Sequence, residues 1–257
     1  MIAVRRLARL ALPLLCLTLG AAEARTYAQI RDIGVLRVGM PGDLPPFSIG
    51  AGKSMVGFEA ELVQEVARSL NLRVIFEQIG GDDLLAALDQ DRIDVATNNL
   101  VITSTRETRF DFSAPYNCSG VSIVSLSKSL NKNADLVGKK IGVPRNTIIQ
   151  TYVEKLAFDK TVKVYETSIE LIRGVATGDV DATYAFSAMA PTIQRLYPQL
   201  GVHFSPALWS APNGMALRSG NEALRQAVNG ALTRYMRTPA YKALLTKHFA
   251  QDTSCKS

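Results

Sequence analysis

The sequence predicts an α/β protein of two lobes joined by two crossover segments, and three observations predict it. Strand-like and helix-like patterns alternate from Val35 to Ala96. They stop at Phe112-Ser113-Ala114-Pro115-Tyr116 and then start afresh, alternating again as far as Tyr184. The last stretch, Gly214 to Phe249, has one strand and two helices with no β-α-β run of its own, so it is expected to pack back onto the first lobe. Alternation of this kind builds parallel sheets. The lobes expected are 25–117 with 212–257, and 118–211 with the crossovers.

The first residues are a targeting segment rather than part of the fold. Arg5, Arg6 and Arg9 form a basic region, Leu10 to Leu19 an apolar core, and Ala22-Glu23-Ala24 an A-x-A cleavage signal. The apolar core is too short for a stable membrane span. Cys16 follows Leu15 rather than a small residue, so a lipid anchor is not expected. Cleavage after Ala24 and a secreted, periplasmic mature chain, residues 25–257, are the expectation.

In the first lobe, Val35-Leu36-Arg37-Val38-Gly39 reads as a strand and the proline-rich Pro41 to Phe47 as a loop. Phe58 to Leu70 has helical spacing at Leu62, Val63, Val66, Ala67 and Leu70. Glu59 and Glu61 open that helix, where acids suit the dipole, and receive no chemical role. Arg73 to Phe76 is the next strand. Asp82-Asp83 precede a helix over Leu84 to Leu88, and Ile93 to Ala96 returns to strand.

That strand leads into the most informative stretch, Asn98-Asn99-Leu100-Val101-Ile102-Thr103-Ser104-Thr105-Arg106. Thr103 is a good helix N-cap, and Arg106 follows three residues later. A strand end, a turn and a helix start would bring free amides and a guanidinium to one place, which is the layout of an anion site. Taken alone, the stretch fits a surface arginine paired with a carboxylate better than an anion site. Asn98 and Asn99 are compatible with simple capping of the strand end.

In the second lobe Val121 to Val124 and Lys140 to Val143 are strands, and Asn146-Thr147 can cap a helix running to Leu156. Val162 to Tyr165, Ser168 to Ile172 and Val180 to Tyr184 read as strand, helix and strand. Trp209 lies near the return crossover, where hinge packing is its expected role. Gly214 to Leu217, Leu224 to Met236 and Tyr241 to Phe249 complete the chain.

Composition excludes several functions. The formal charge of +6 falls to +4 without residues 1–24, and no basic cluster interleaved with aromatics suggests nucleic-acid binding. His203 and His248 lack ligand-spaced Cys or carboxylate neighbours, so no metal site is expected, and the chain offers little for histidine catalysis. Cys118 and Cys255 remain in the mature chain. Either a bridge or two inert thiols fits the sequence.

Leu36-Arg37-Val38-Gly39, Pro46-Phe47, Gly57-Phe58-Glu59, Ile102 to Arg106, Phe112 to Tyr116, Gly178 to Ala182 and Gly214 to Arg218 occur in this order behind a signal peptide. Together they resemble the periplasmic solute-binding proteins of polar amino-acid ABC importers, family 3, over essentially the whole mature chain. The resemblance implies the two-lobed periplasmic binding protein fold, type II, closing on one solute without a cofactor and delivering it to a membrane ABC permease. A monomer is expected.

By the same resemblance, Arg106 matches the arginine that grips the ligand's α-carboxylate. Val101 matches a position whose N–H faces that carboxylate, and Thr147 and Ile148 match amides that close over it from the second lobe. Asn99 matches a carbonyl that receives the ligand's amine. Phe47 lies in the pocket loop, and Leu44 matches an aromatic that stacks on the side chain. The chain also departs from the pattern. Phe186 stands where an acid pairs with the ammonium, Gly81 where an aromatic is usual, and Pro41 where binders of cationic amino acids carry Asp. Phe186 could line the pocket or be an ordinary core aromatic.

The carboxylate half of the site is therefore expected intact and the amine half altered, pointing to an amino acid or related small carboxylate. No catalytic residue is expected. The alternative is a periplasmic cyclohexadienyl dehydratase-like enzyme acting on prephenate or arogenate, which resembles the same family. It would need a general acid in the cleft, where Phe186 offers none and Asp43 or Glu59 would have to reach.

Overall fold

A computed structural model of the chain describes residues 24–250 and 252–255. The targeting segment expected at residues 1–24 lies, apart from Ala24, outside the described residues. The elements run α1 (Tyr27–Ile33), β1 (Val35–Met40), β2 (Asp43–Leu44), β3 (Ser48–Ile49), α2 (Phe58–Ser69), β4 (Arg73–Gln78), α3 (Leu84–Asp89), β5 (Val95–Ala96), α4 (Ser104–Glu107) and β6 (Phe110–Phe112). Then come β7 (Gly120–Ser125), β8 (Lys140–Pro144), α5 (Ile148–Lys155), β9 (Thr161–Tyr165), α6 (Ser168–Ala176), β10 (Ala182–Phe186), α7 (Ala190–Leu196), β11 (His203–Phe204) and β12 (Trp209–Ser210). β13 (Ala216–Arg218), α8 (Glu222–Met236) and α9 (Pro239–Phe249) close the chain.

Two sheets result. The first has the order β4-β1-β5-β13-β6 and the second β11-β7-β10-β8-β9, with β12 also pairing β7. β1 runs parallel to β4 and β5, as the alternation predicts. β13 enters antiparallel between β5 and β6, so the strand of the final segment lies in the same sheet as β1 and makes that sheet mixed. The expectation of a parallel sheet misses that strand because β13 arrives from the other lobe rather than over a helix.

Local chemistry explains the helices. α2 turns Leu62, Val63, Val66 and Ala67 into the core, against α8 and α9. Thr147 caps α5 and Thr167 caps α6, each side chain accepting an amide three residues on. The segment 41–47 is not only loop: Asp43 and Leu44 pair with Ile49 and Ser48 in a short hairpin. Gly42 makes the hairpin possible, because its φ is 77° and a Cβ there would lie 2.0 Å from the Gly50 carbonyl oxygen.

The two crossovers meet. Tyr116 N donates to Asn213 O at 3.0 Å, and Asn213 N to Asn117 O at 2.8 Å. Next to them Cys118 is disulfide-bonded to Cys255, with 4.8 Å between their Cα atoms. Cys118 N donates to Thr253 O at 2.9 Å, so the C-terminal tail is fastened beside the crossovers. The pairing left open by the sequence is thus a bridge.

Candidate ligand cleft

The strand ends of both sheets converge on one cleft. Pro41 follows β1, Gly80 and Gly81 follow β4, and Asn98 to Val101 follow β5; from the other side come Arg145 to Ile148 after β8, Glu166 and Ser168 after β9, and Phe186 at the end of β10. Ligands of α/β sheets bind at the carboxyl ends of strands. The cleft measures about 330 Å³, within the range of small-molecule sites.

Of the residues selected from sequence, Leu44, Asn99, Val101, Arg106, Thr147, Ile148 and Phe186 line this cleft together. Phe47 does not. It is fully buried behind the cleft, its ring 5.2 Å from that of Phe249, 6.5 Å from Phe58 and 6.2 Å from Phe186. Its place in the proline-rich segment suggested exposure to ligand, but the hairpin turns the ring inward. It supports Phe186 across the lobe boundary instead.

Arg106 is half-buried, and its Nη1 donates to the Val101 carbonyl at 2.9 Å. Among the described residues it pairs with no carboxylate, and burial lowers its pKa from the ordinary arginine value. The guanidinium remains charged and retains donors for an anion. α4 is a single turn, so helix-terminal amides add little to this half of the site. Thr103 does cap that turn, accepting from Arg106 N at 3.3 Å. The first amides of α5 lie across the cleft, where a helix start leaves donors free.

Asn99 is the hub of the cleft floor. Its backbone is left-handed, with φ at 45°, a conformation Asn tolerates better than most residues. Three groups hold it there. Its N–H donates to Glu59 Oε1 at 2.8 Å; Asn213 Nδ2 donates to its carbonyl at 2.7 Å; Asn117 Nδ2 donates to its side-chain oxygen at 3.1 Å. The carbonyl expected to receive a ligand amine therefore already accepts one bond and has one lone pair left. Asn117 and Asn213 belong to the two crossovers, so the floor of the cleft is tied directly to both.

Glu59 requires correction of its role. It is fully buried, and its Oε1 also accepts from Thr97 Oγ1 and the Tyr116 hydroxyl. Burial raises its carboxyl pKa against the pull of those hydrogen bonds. It positions the Asn99 turn rather than merely suiting a helix dipole. A Glu at the second position of a helix gave no sign of this, because its partners lie far along the chain.

At the mouth, Arg145 Nε lies 2.8 Å from Glu166 Oε2 and 4.0 Å from Asp82 Oδ2. Asp82 comes from the first lobe and Arg145 from the second, so this contact bridges the opening. Its exposure makes it worth little by itself. Gly81 faces the Asn98 amide, and a Cβ there would meet Nδ2 at 3.1 Å. Asn98 thus crowds the space beside Gly81. Trp209 packs on Tyr152, with 5.3 Å between ring centroids, inside the second lobe and away from this cleft.

The sequence model of the bacterial extracellular solute-binding proteins, family 3, matches residues 36–251. The chain belongs to that family. This solute-binding protein is 31% identical to the L-cystine-binding protein TcyJ of Escherichia coli K12, over 91% of its own chain and 89% of the relative. It is 25% identical to the ABC transporter arginine-binding protein 1 of the same organism, over 84% and 91% of the two chains. Among solved structures, an ancestral arginine-binding protein bound to arginine is similar at a TM-score of 0.79 and 32% identity, covering 84% of this chain and 98% of that one. The fold is thus the two-lobed type II binding-protein fold. These relatives are named as binding proteins, and the solute-binding protein is an amino-acid-binding component of ABC transport.

Proposed function

We propose that the protein captures one amino acid in the periplasm by hinge closure and presents it to a membrane ABC permease, acting as a monomer released by cleavage after Ala24. One observation carries the ligand reading: a half-buried guanidinium, Arg106, facing a cleft between lobes with no carboxylate among the described residues paired to it. The ligand's carboxylate takes that place, accepting from Arg106 and from the amides of Val101, Thr147 and Ile148. Leu44 and Phe186 form apolar walls for the rest of the solute.

Relatives support an amino-acid ligand: their names give cystine and arginine, and the ancestral arginine-binding protein was also solved with glutamine. The geometry of the cleft supports closure. A ligand bound to Arg106 in one lobe and to the start of α5 in the other favours the closed arrangement by its differential contacts. The crossovers are the elements that must bend, and the Asn99 hub connects them to the site.

The test is a thermal-shift panel on residues 25–257, unfolded and refolded to strip carried-over ligand, pairing each amino acid with its deaminated acid. A ligand at a hundredfold its Kd adds about 2.7 kcal/mol. Stabilisation by one or a few amino acids, abolished by Arg106→Met, is expected. No stabilisation by any of them, or conversion of prephenate to product, would overturn the proposal.

A further inference from the structure

We propose that Asp43 is the counter-charge for a cationic group of the ligand, an assignment that rests on the amino-acid reading above. Three carboxylates line the cleft: Asp43, Asp82 and Glu166. Glu166 is held by Arg145 through contacts of 2.8 and 2.9 Å. Asp82 faces the same Arg145 and also bonds the Asn146 side chain. Asp43 is the one without such a partner. Among the described residues it pairs with no Lys, Arg or His, and only its own backbone amide bonds it.

Its surroundings make that state costly. Leu44, Ile172, Met189 and Phe186 line the same cleft, and Ser168 is a polar side chain that lines both that cleft and the neighbouring cavity with the half-buried carboxylate. Burial raises its pKa, and a cation arriving with the ligand would offset that penalty. Arg106 does not serve: the two side chains line one cleft without pairing among the described residues, so a positive and a negative group are both open to a solute. That separation suits a zwitterion or a cationic amino acid, with the carboxylate at Arg106 and the cation at Asp43.

The residue is also held firmly. Asp43 pairs with Ile49 in the hairpin, and Gly50 N donates to Gly42 O at 2.9 Å just before it. Groups on a paired backbone can be aimed, whereas a free loop carboxylate would swing into solvent. Asp43 also reaches the second lobe's side: it lines a neighbouring cavity with Ser168, Ile172 and the exposed Arg173 of α6, and Arg173 forms no ion pair with it among the described residues. A cation there would join the two lobes.

The experiment is isothermal titration of wild type, Asp43→Asn and Arg106→Met. The probes are L-arginine, L-glutamine and L-cystine, with 5-guanidinopentanoate and glutaramate as the deaminated partners of the first two. Asp43→Asn should weaken amino-acid binding about 10- to 100-fold, while its melting temperature without ligand stays at or above that of wild type. If the cation is the α-ammonium, deaminated acids bind both proteins alike. If it is the side-chain guanidinium, L-arginine and 5-guanidinopentanoate weaken together and L-glutamine is spared. Equal binding by Asp43→Asn and wild type, with Arg106 still essential, overturns this inference alone. Equal weakening of every probe, glutaramate included, makes Asp43 structural and overturns it too. Binding by no amino acid at all takes the parent reading down with it.

Discussion

Replacing Arg106 with methionine separates ligand binding from folding, and the two effects have opposite causes. Among the described residues of the free protein the guanidinium makes one hydrogen bond, to the Val101 carbonyl at 2.9 Å, and is half-buried with no acid paired to it. Methionine forfeits that bond, about 1 kcal/mol, and relieves a partly desolvated charge of comparable cost. For a chain of this size 1 kcal/mol moves the melting temperature about 2–4 °C, so the ligand-free variant should melt within about 4 °C of wild type. The bound state differs. Two charge-assisted hydrogen bonds to a carboxylate contribute about 1.5–3 kcal/mol each, so losing both should weaken affinity by two to four orders of magnitude, about 3–5 kcal/mol. Titration calorimetry and differential scanning calorimetry on the same preparations give both numbers. Affinity within threefold of wild type would refute the carboxylate assignment. A ligand-free melting temperature lower by more than about 10 °C would instead make Arg106 a structural residue.

Two other outcomes follow from the same structure. Glu59 is buried and its folded-state pKa is raised, so the native state binds more protons than the unfolded one above the ordinary carboxylate value of about 4.3. Wild-type stability should therefore fall relative to Glu59→Gln as pH rises from about 4.3 to the raised native value, by about 1.4 kcal/mol for each pH unit between the two; parallel urea midpoints across that range would contradict it. The Cys118–Cys255 bridge closes 137 residues of separation, so Cys118→Ser with Cys255→Ser should cost about 2–5 kcal/mol and lower the melting temperature by about 5–20 °C. Identical melting of the serine pair and the oxidised wild type would exclude that contribution.

Much of the fold is legible because its determinants are local. Alternating apolar periods place β1, α2, β4, α3 and β5, and Thr103, Thr147 and Thr167 each cap the helix that follows. Local rules also place Arg106, since a strand followed by a capped turn puts the side chain three residues on at the sheet's carboxyl edge, while its ligand role comes from the whole-chain resemblance. α1, α7 and the β2–β3 hairpin are missed because each is short and its pattern is interrupted by proline, glycine or polar residues.

The sequence by itself determined the alternating α/β elements of both halves and the position of Arg106 behind a strand and a capped turn, because these depend on spacing within a few residues. Only the tertiary structure decided which polar groups meet. Glu59 reaches Asn99 across 40 residues, and Asn213 reaches it across 114, while Phe47 leaves the cleft for an aromatic cluster with Phe249. Cys118 finds Cys255 in the same way. Pairings of this kind depend on how separate segments pack, and burial then sets their energetic weight: a solvated Glu59 or Asp43 would be an ordinary surface acid, and inside this fold neither is.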